Sequence, residues 1–339
     1  MPPHPQGHTR PVAPRKIAVL DDYQQVASTY ADWDAIGAED VTFFGQHLGD
    51  ADGVVAALEP YDVVVAMRER TAFPADVLER LPHLGLLVTT GPANVAIDVA
   101  AARERGVTVS GTGGVSSNAP TVEMTWALIH ALTRHVPAED RAVRAGRWQH
   151  TVGRDLAGRR LGVVGLGGIG APVAAVGLAL GMDVVAWSEH LDPDDARGHG
   201  VTPVSKDELL TTSDVVTVHL KLSARTTGLI GRDDLARMKP TALLVNTSRG
   251  PIVDEDALVE ALHAGTIGGA GLDVFGTEPL PVDAPLRTAP NTVLTPHLGY
   301  VTEGTYEVFY RDAVEDIRAW ADGAPIRELG PEDGGAPRS

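Results

Sequence analysis

The chain has 339 residues, more than a single core fills before chains split at roughly 250–300 residues, so two domains are expected. A net charge of −17, from 28 basic and 45 acidic side chains, repels phosphate backbones and argues against a nucleic-acid partner. The absence of cysteine removes disulfides, thiol nucleophiles and thiolate metal sites, and suits a reducing cytoplasm.

Residues 1–14 are rich in Pro and His and lack the apolar stretch of a signal peptide, so they are expected to be a disordered tail. From there, short β-branched runs alternate with helical spacing. Residues 16–20 (KIAVL), 61–67 (YDVVVAM), 84–89 (LGLLVT) and 107–109 read as strands, with helices over 74–81 and 98–105. Near-continuous apolar runs are the mark of parallel strands covered on both faces. Residues 119–135 form a long apolar helix, a plausible connector, followed by a second helical stretch over 138–147. A second series of strands then begins at Leu161 and continues at 184–186, 215–219, 243–245, 269–273 and 293–295. A final helix covers 302–321, and the Gly- and Pro-containing end from 327 onward reads as a second disordered tail. No uncharged apolar run is long enough to span a membrane.

The first strand series has no phosphate-binding loop and the second has one. This places a substrate domain at 15–117 and a dinucleotide-binding domain at 118–298. The loop is Gly165-Leu166-Gly167-Gly168-Ile169-Gly170, between an apolar strand and a helix of small residues. Gly165 permits a tight turn, Gly167 lets a pyrophosphate approach the backbone, and Gly170 allows close helix–strand packing. Gly168 and Ile169 complete the loop. The helix start offers free N–H groups and a positive dipole end to phosphates. A bare G-x-G-x-x-G is weak; strand, loop, helix and a second strand in order make it specific. The end of that second strand reads Trp187-Ser188-Glu189-His190. Ser188 occupies the position of the usual ribose-binding acid, Glu189 follows it, and no neighbouring arginine stands ready for a phosphate. These residues favour NAD, with NADP left open.

Three residues carry chemistry. Arg249, in NTSRG, ends a strand, where a guanidinium can hold a carboxylate with two parallel bonds and polarise the adjacent carbonyl. His297, in TPHLG, can exchange a proton near neutral pH. Glu278, in FGTEP, can pair with an imidazole and favour its charged form. Each alone is equally an ordinary turn residue. All three follow successive strands of a nucleotide-binding sheet, whose carboxyl ends face the ligand. The twelve histidines are scattered and form no His-Glu-x-x-His pair, so no metal site is expected.

With these motifs in place, the chain strongly resembles the D-isomer-specific 2-hydroxyacid dehydrogenase family. The resemblance rests on GLGGIG (165–170), VHLKLSARTTGLI (218–230), NTSRG (246–250), AGLDVFGTEP (270–279) and TPHLG (295–299), and less sharply on residues 89–109. It implies an α/β fold of two doubly wound parallel sheets, a Rossmann-type nucleotide domain inserted in a flavodoxin-like substrate domain, with the active site in the cleft. It also implies that residues 299–326 return to the first domain. By position, Arg249 would bind the substrate carboxylate, His297 would be the acid/base, and Glu278 would pair with it. Asp273 would lie near the nicotinamide carboxamide, with His219, Thr247 and Gly299 also on the cofactor side. Lys221 replaces the usual proline after His219 and puts that loop's shape in question. Thr90 and Gly91 match a loop whose backbone N–H groups meet the carboxylate, although Pro92 removes one donor. Arg68 and Arg70 are candidates for a second anionic group, and Tyr300 for the pocket wall. The family further suggests a homodimer built on the nucleotide domains and the 119–135 helix. An NAD-sensing corepressor of the same fold, without turnover, is the non-enzymatic alternative. Formate dehydrogenase shares the fold but needs no proton donor, and a phosphoglycerate dehydrogenase of this length would be a short form.

Overall fold

The structure, a computed structural model, describes residues 15–114 and 118–334. The described chain divides into two compact units, the boundaries falling between Gly114 and Asn118 and between Val301 and Thr302.

The first unit contains strands β1 (Lys16–Val19), β2 (Asp40–Phe43), β3 (Val63–Ala66), β4 (Leu86–Thr89) and β5 (Thr108–Gly111). Helices α1 (Ala51–Leu58), α2 (Ala75–Leu78) and α3 (Val99–Glu104) connect them. The sheet order is β2-β1-β3-β4-β5, and every neighbouring pair is parallel. β1 and β3 flank the point where the strand order reverses, so their carboxyl ends open onto the crevice such sheets offer to ligands. The residues of β3 and β4 are buried throughout, which is why those segments read as unbroken apolar runs.

The second unit opens with α4 (Ala119–Thr133) and α5 (Val136–Arg144). Its sheet comprises β6 (Arg160–Val164), β7 (Asp183–Trp187), β8 (Thr202–Pro203), β9 (Val215–Val218), β10 (Leu243–Asn246), β11 (Gly269–Leu272) and β12 (Thr292–Leu294). Helices α6 (Gly170–Ala179), α7 (Pro193–Gly198), α8 (Lys206–Thr212), α9 (Arg232–Arg237) and α10 (Glu255–Ala264) lie between them. The order β12-β11-β10-β9-β6-β7-β8 is fully parallel, with the reversal between β6 and β9. One apolar cluster joins Leu209, Val216, Leu244, Leu258 and Leu286; another joins Trp126, Ile129, Leu161, Val173 and Val184. Two clusters around one sheet are the layered arrangement of a doubly wound domain.

The last helix, α11 (Glu303–Ala321), groups with the first unit, and its buried Phe309, Tyr310, Ala313 and Ile317 form its apolar stripe. Residues 299–301, expected with this helix, group instead with the nucleotide unit, where Gly299 bonds to Asp273 and Thr121. The expected tail from 327 requires correction. Residues 327–334 are tied down. Leu329 is buried, its N–H donates to Val109 O at 2.9 Å, and the Arg327 carbonyl accepts from Gly111 N–H. Arg327 Nε reaches Asp316 Oδ1 at 2.9 Å. The expected tails at 1–14 and beyond 334 lie outside the described residues. Among the described residues, no helix is long and apolar enough to cross a membrane, and no cluster of His, Asp and Glu could hold a metal.

Candidate active site

The glycine loop leaves β6 at the reversal point. Gly165 has φ +98°, a conformation that side chains with a Cβ rarely adopt, and an added Cβ would lie 2.6 Å from the His219 carbonyl. At Gly170 a Cβ would lie 1.9 Å from the Gly165 carbonyl. The first and last glycines are therefore demanded by the fold itself. Gly167 differs: a Cβ there meets nothing within 4 Å. Its backbone faces open space ahead of the first turn of α6, which suits the approach of a pyrophosphate. At Gly168 the carbonyl accepts from Asn118 Nδ2 at 3.1 Å, a brace that comes from 50 positions earlier in the chain. Ile169 is the residue before α6.

His219 follows β9 beside this loop, with its N–H on the Val164 carbonyl. Nε2 lies 2.9 Å from Thr217 Oγ1, while Nδ1 is buried and has no hydrogen-bond partner among the described residues. Burial pushes this imidazole down to about 3, so the ring is neutral. A neutral ring with one unmet nitrogen next to the glycine loop fits the edge of a bound nucleotide. Ser188 and Glu189 stand at the end of β7, as the sequence placed them. The sequence missed their neighbour. Arg225, from the loop after β9, brings Nη1 within 3.3 Å of Glu189 Oε2 and 3.4 Å of His190 Nε2.

β10, β11 and β12 are adjacent and parallel, with Asn246 opposite Leu272 and Leu272 opposite Leu294. Arg249, Glu278 and His297 leave the same edge of the sheet on these three strands. The Arg249 turn is fixed by Asn246, whose Nδ2 donates to the Arg249 carbonyl at 2.9 Å and whose Oδ1 accepts from Ser248 N–H at 3.0 Å. Arg249 Nη1 donates to the Ser248 carbonyl at 2.8 Å. The Thr247 hydroxyl, expected on the cofactor side, lies 2.8 Å from Thr125 Oγ1, so α4 holds it.

Glu278 Oε1 accepts from Phe275 N–H at 2.9 Å, and Oε2 lies 2.6 Å from His297 Nδ1. With the carboxylate as acceptor, Nδ1 carries the hydrogen and Nε2 is left to exchange a proton. His297 itself has φ +55°, an uncommon backbone conformation for a residue other than glycine. Asp273 accounts for how it is held. This fully buried carboxylate accepts from Thr295 Oγ1 (2.6 Å), Leu298 N–H (2.8 Å) and Gly299 N–H (2.7 Å), bracketing His297 on both sides. Burial raises the Asp273 carboxyl above its ordinary value, and the three donors pull it back. Tyr300 packs edge-on against His297, with ring centroids 5.6 Å apart.

In the first unit, Arg68 has φ +51°, and its N–H donates to Thr90 Oγ1 at 2.9 Å. Its Nη1 donates to the Thr90 carbonyl at 3.1 Å. The expected amide donors of this loop are already used: Thr90 N–H bonds Ala66 O, and Gly91 N–H bonds Thr112 Oγ1 at 2.6 Å. Further along the same loop, Asn94 N–H donates to Asp333 O and Ala96 N–H to Asn94 Oδ1. Next to Arg68 is a cluster that the sequence reading missed. Buried Asp21 accepts from Thr71 Oγ1 (2.9 Å) and Tyr23 Oη (3.1 Å), and Arg70 lies over the Tyr23 ring. The signal was an acidic pair, Asp21-Asp22, ending the first strand.

Residues 126–299 match the family profile described as D-isomer specific 2-hydroxyacid dehydrogenase, NAD binding domain. A D-3-phosphoglycerate dehydrogenase of Synechocystis is 36% identical over 276 residues, covering 81% of this chain and 49% of its own length. The chain thus spans about half the length of the curated phosphoglycerate dehydrogenases it matches. A glyoxylate reductase of Korarchaeum cryptofilum is 37% identical, with 82% of each chain covered. Among solved structures, a putative D-3-phosphoglycerate dehydrogenase oxidoreductase of Ralstonia solanacearum superposes with a TM-score of 0.86 at 36% identity, covering 94% of this chain and 97% of that one. With the profile matched over more than half of the chain and likeness to relatives over four-fifths of it, the chain belongs to the D-isomer specific 2-hydroxyacid dehydrogenase family.

Proposed function

We propose that this chain is an NAD(P)-dependent oxidoreductase that interconverts a 2-oxo acid and the corresponding D-2-hydroxy acid. The observation that carries this reading is the 2.6 Å contact between His297 Nδ1 and Glu278 Oε2 on the edge that also presents Arg249. When bound, the reduced nicotinamide supplies a hydride to C2 of the acid. Arg249 holds the carboxylate and polarises the C2 carbonyl. His297, in its doubly protonated form, gives its Nε2 proton to the carbonyl oxygen as charge develops there and is left neutral, while Glu278 holds the ring's orientation through Nδ1. In the oxidative direction His297 takes the alcohol proton. A cofactor sensor would need the glycine loop but not this relay.

The substrate is a small 2-oxo acid of the glyoxylate, hydroxypyruvate or phosphohydroxypyruvate kind, a reading supported by the names of the relatives. Arg68 is proposed on the substrate side, and with Arg70 it favours an acid bearing a second anionic group. The chain is proposed to work in the cytoplasm as a homodimer, with Trp148 (77% exposed) and Val152 (90% exposed) following α5 as apolar contacts. The test is oxidation of reduced NAD and NADP with a panel of these acids, followed by chiral analysis of the product. Formation of the D-hydroxy acid is expected. Cofactor binding with no turnover on any acid would refute the enzyme reading in favour of the sensor.

A further inference from the structure

The nucleotide unit holds a positive charge where its local sequence places none. At the end of β7 a dinucleotide fold meets the adenosine ribose, and an acid there binds the ribose hydroxyls and repels a 2′-phosphate. This chain has Ser188 at that position, which carries no charge. The next acid, Glu189, is matched by Arg225, whose Nη1 lies 3.3 Å from Glu189 Oε2 and 3.4 Å from His190 Nε2. The rim is therefore close to neutral instead of negative.

Arg225 comes from a well-braced loop. Ser223 N–H donates to Thr226 Oγ1 (2.8 Å), and Thr226 Oγ1 donates in turn to the Lys221 carbonyl (2.8 Å). Thr227 Oγ1 donates to the Ser223 carbonyl (2.9 Å), and Gly228 N–H to the Pro251 carbonyl (2.8 Å). The backbone under the guanidinium is fixed even though the side chain is exposed. An exposed ion pair such as Arg225–Glu189 is weak and easily exchanged. A phosphate dianion offers the same guanidinium two parallel charge-assisted bonds.

We propose that Arg225, together with Ser188 and His190, forms a subsite for the 2′-phosphate of NADP(H), with Glu189 holding the guanidinium until the phosphate takes it. The inference rests on the nucleotide-binding half of the proposed function and not on turnover. It makes Arg225, supplied from a different loop, the residue that sets cofactor choice.

The test is calorimetric titration of the full chain with 2′,5′-ADP and with 5′-AMP, which carry neither nicotinamide nor redox chemistry. The wild type is expected to bind 2′,5′-ADP about tenfold more tightly, equal to about 1.4 kcal/mol. Arg225→Gln should erase that preference while leaving 5′-AMP binding unchanged, and Glu189→Gln should widen it. Equal or tighter binding of 5′-AMP by the wild type, or an unchanged ratio in Arg225→Gln, overturns the proposal. Failure of both nucleotides to bind overturns the nucleotide reading with it. The expected ratio in a chain that reduces no 2-oxo acid leaves this subsite standing and removes only the proposed reaction.

Discussion

Replacing Asp273 with Asn tests how His297 is held. The carboxylate accepts three hydrogen bonds, two on Oδ1 and one on Oδ2. An asparagine that keeps its oxygen toward Thr295 and Leu298 presents an NH2 group to the buried Gly299 N–H. One donor then faces another, and a buried amide is left unsatisfied. That costs about 1–3 kcal/mol, and each bond to a charged acceptor is worth about 1.5–3 kcal/mol. The loss is partly offset because burial already disfavours the Asp273 charge. The net expectation is about 2 kcal/mol of destabilisation. For a unit of this size that lowers Tm by about 4–8 °C. With the brace loosened, the uncommon backbone conformation of His297 is no longer enforced, and small misplacements of a catalytic group cost about 100-fold in rate. The assays are differential scanning calorimetry and steady-state kinetics with a 2-oxo acid. The account expects kcat to fall more than KM changes. Wild-type Tm together with wild-type kcat in Asp273→Asn would refute the argument that this carboxylate shapes the turn.

Other outcomes follow from the same geometry. Glu278→Gln keeps an acceptor near His297 Nδ1 but removes the charge; kcat should fall about 10–100-fold with cofactor affinity unchanged, and equal rates would show the charge is idle. Gly170→Ala forces a Cβ to within 1.9 Å of the Gly165 carbonyl and should destabilise the nucleotide unit, whereas Gly167→Ala, which meets nothing within 4 Å, should fold normally yet bind the dinucleotide at least tenfold more weakly by fluorescence titration. Equal stability of the two variants would contradict the reading of the loop. Burial pushes Asp316 up to about 7 from an ordinary 3.8, so the folded state binds this proton more tightly than the unfolded one. Its contribution is full below about pH 4 and is lost as pH rises through about 7. In urea unfolding, the wild type should therefore lose ground to Asp316→Asn between pH 5 and pH 8, and the reverse trend would mean that the Arg327 ion pair outweighs burial.

The parts of the site that could be read from the chain are those whose requirements are local. Gly165 and Gly170 constrain each other across one turn, and Arg249, Glu278 and His297 each sit a few residues beyond a buried strand. The strands themselves were visible because parallel strands covered on both faces are apolar throughout. What stayed hidden depends on partners far along the chain. Arg225 reaches Glu189 from 36 positions away, Thr112 captures the Gly91 amide from 21, and Thr125 holds Thr247 from 122. β2 escaped because an edge strand is only half covered and its residues alternate in polarity. Residues 327–334 read as a tail because Glu, Asp and Gly dominate their composition, while what anchors them is Arg327 bonded to α11, the buried Leu329 and backbone bonds to the distant Val109, Gly111 and Asn94.

The most direct test of the central claim is the rate at which His297→Asn reduces a 2-oxo acid that the wild type accepts, measured alongside its affinity for the reduced cofactor. The account predicts a fall in kcat of about 100- to 10,000-fold with cofactor binding intact, as expected when a positioned proton donor is removed. A variant that binds cofactor normally and turns over within twofold of the wild type would contradict it.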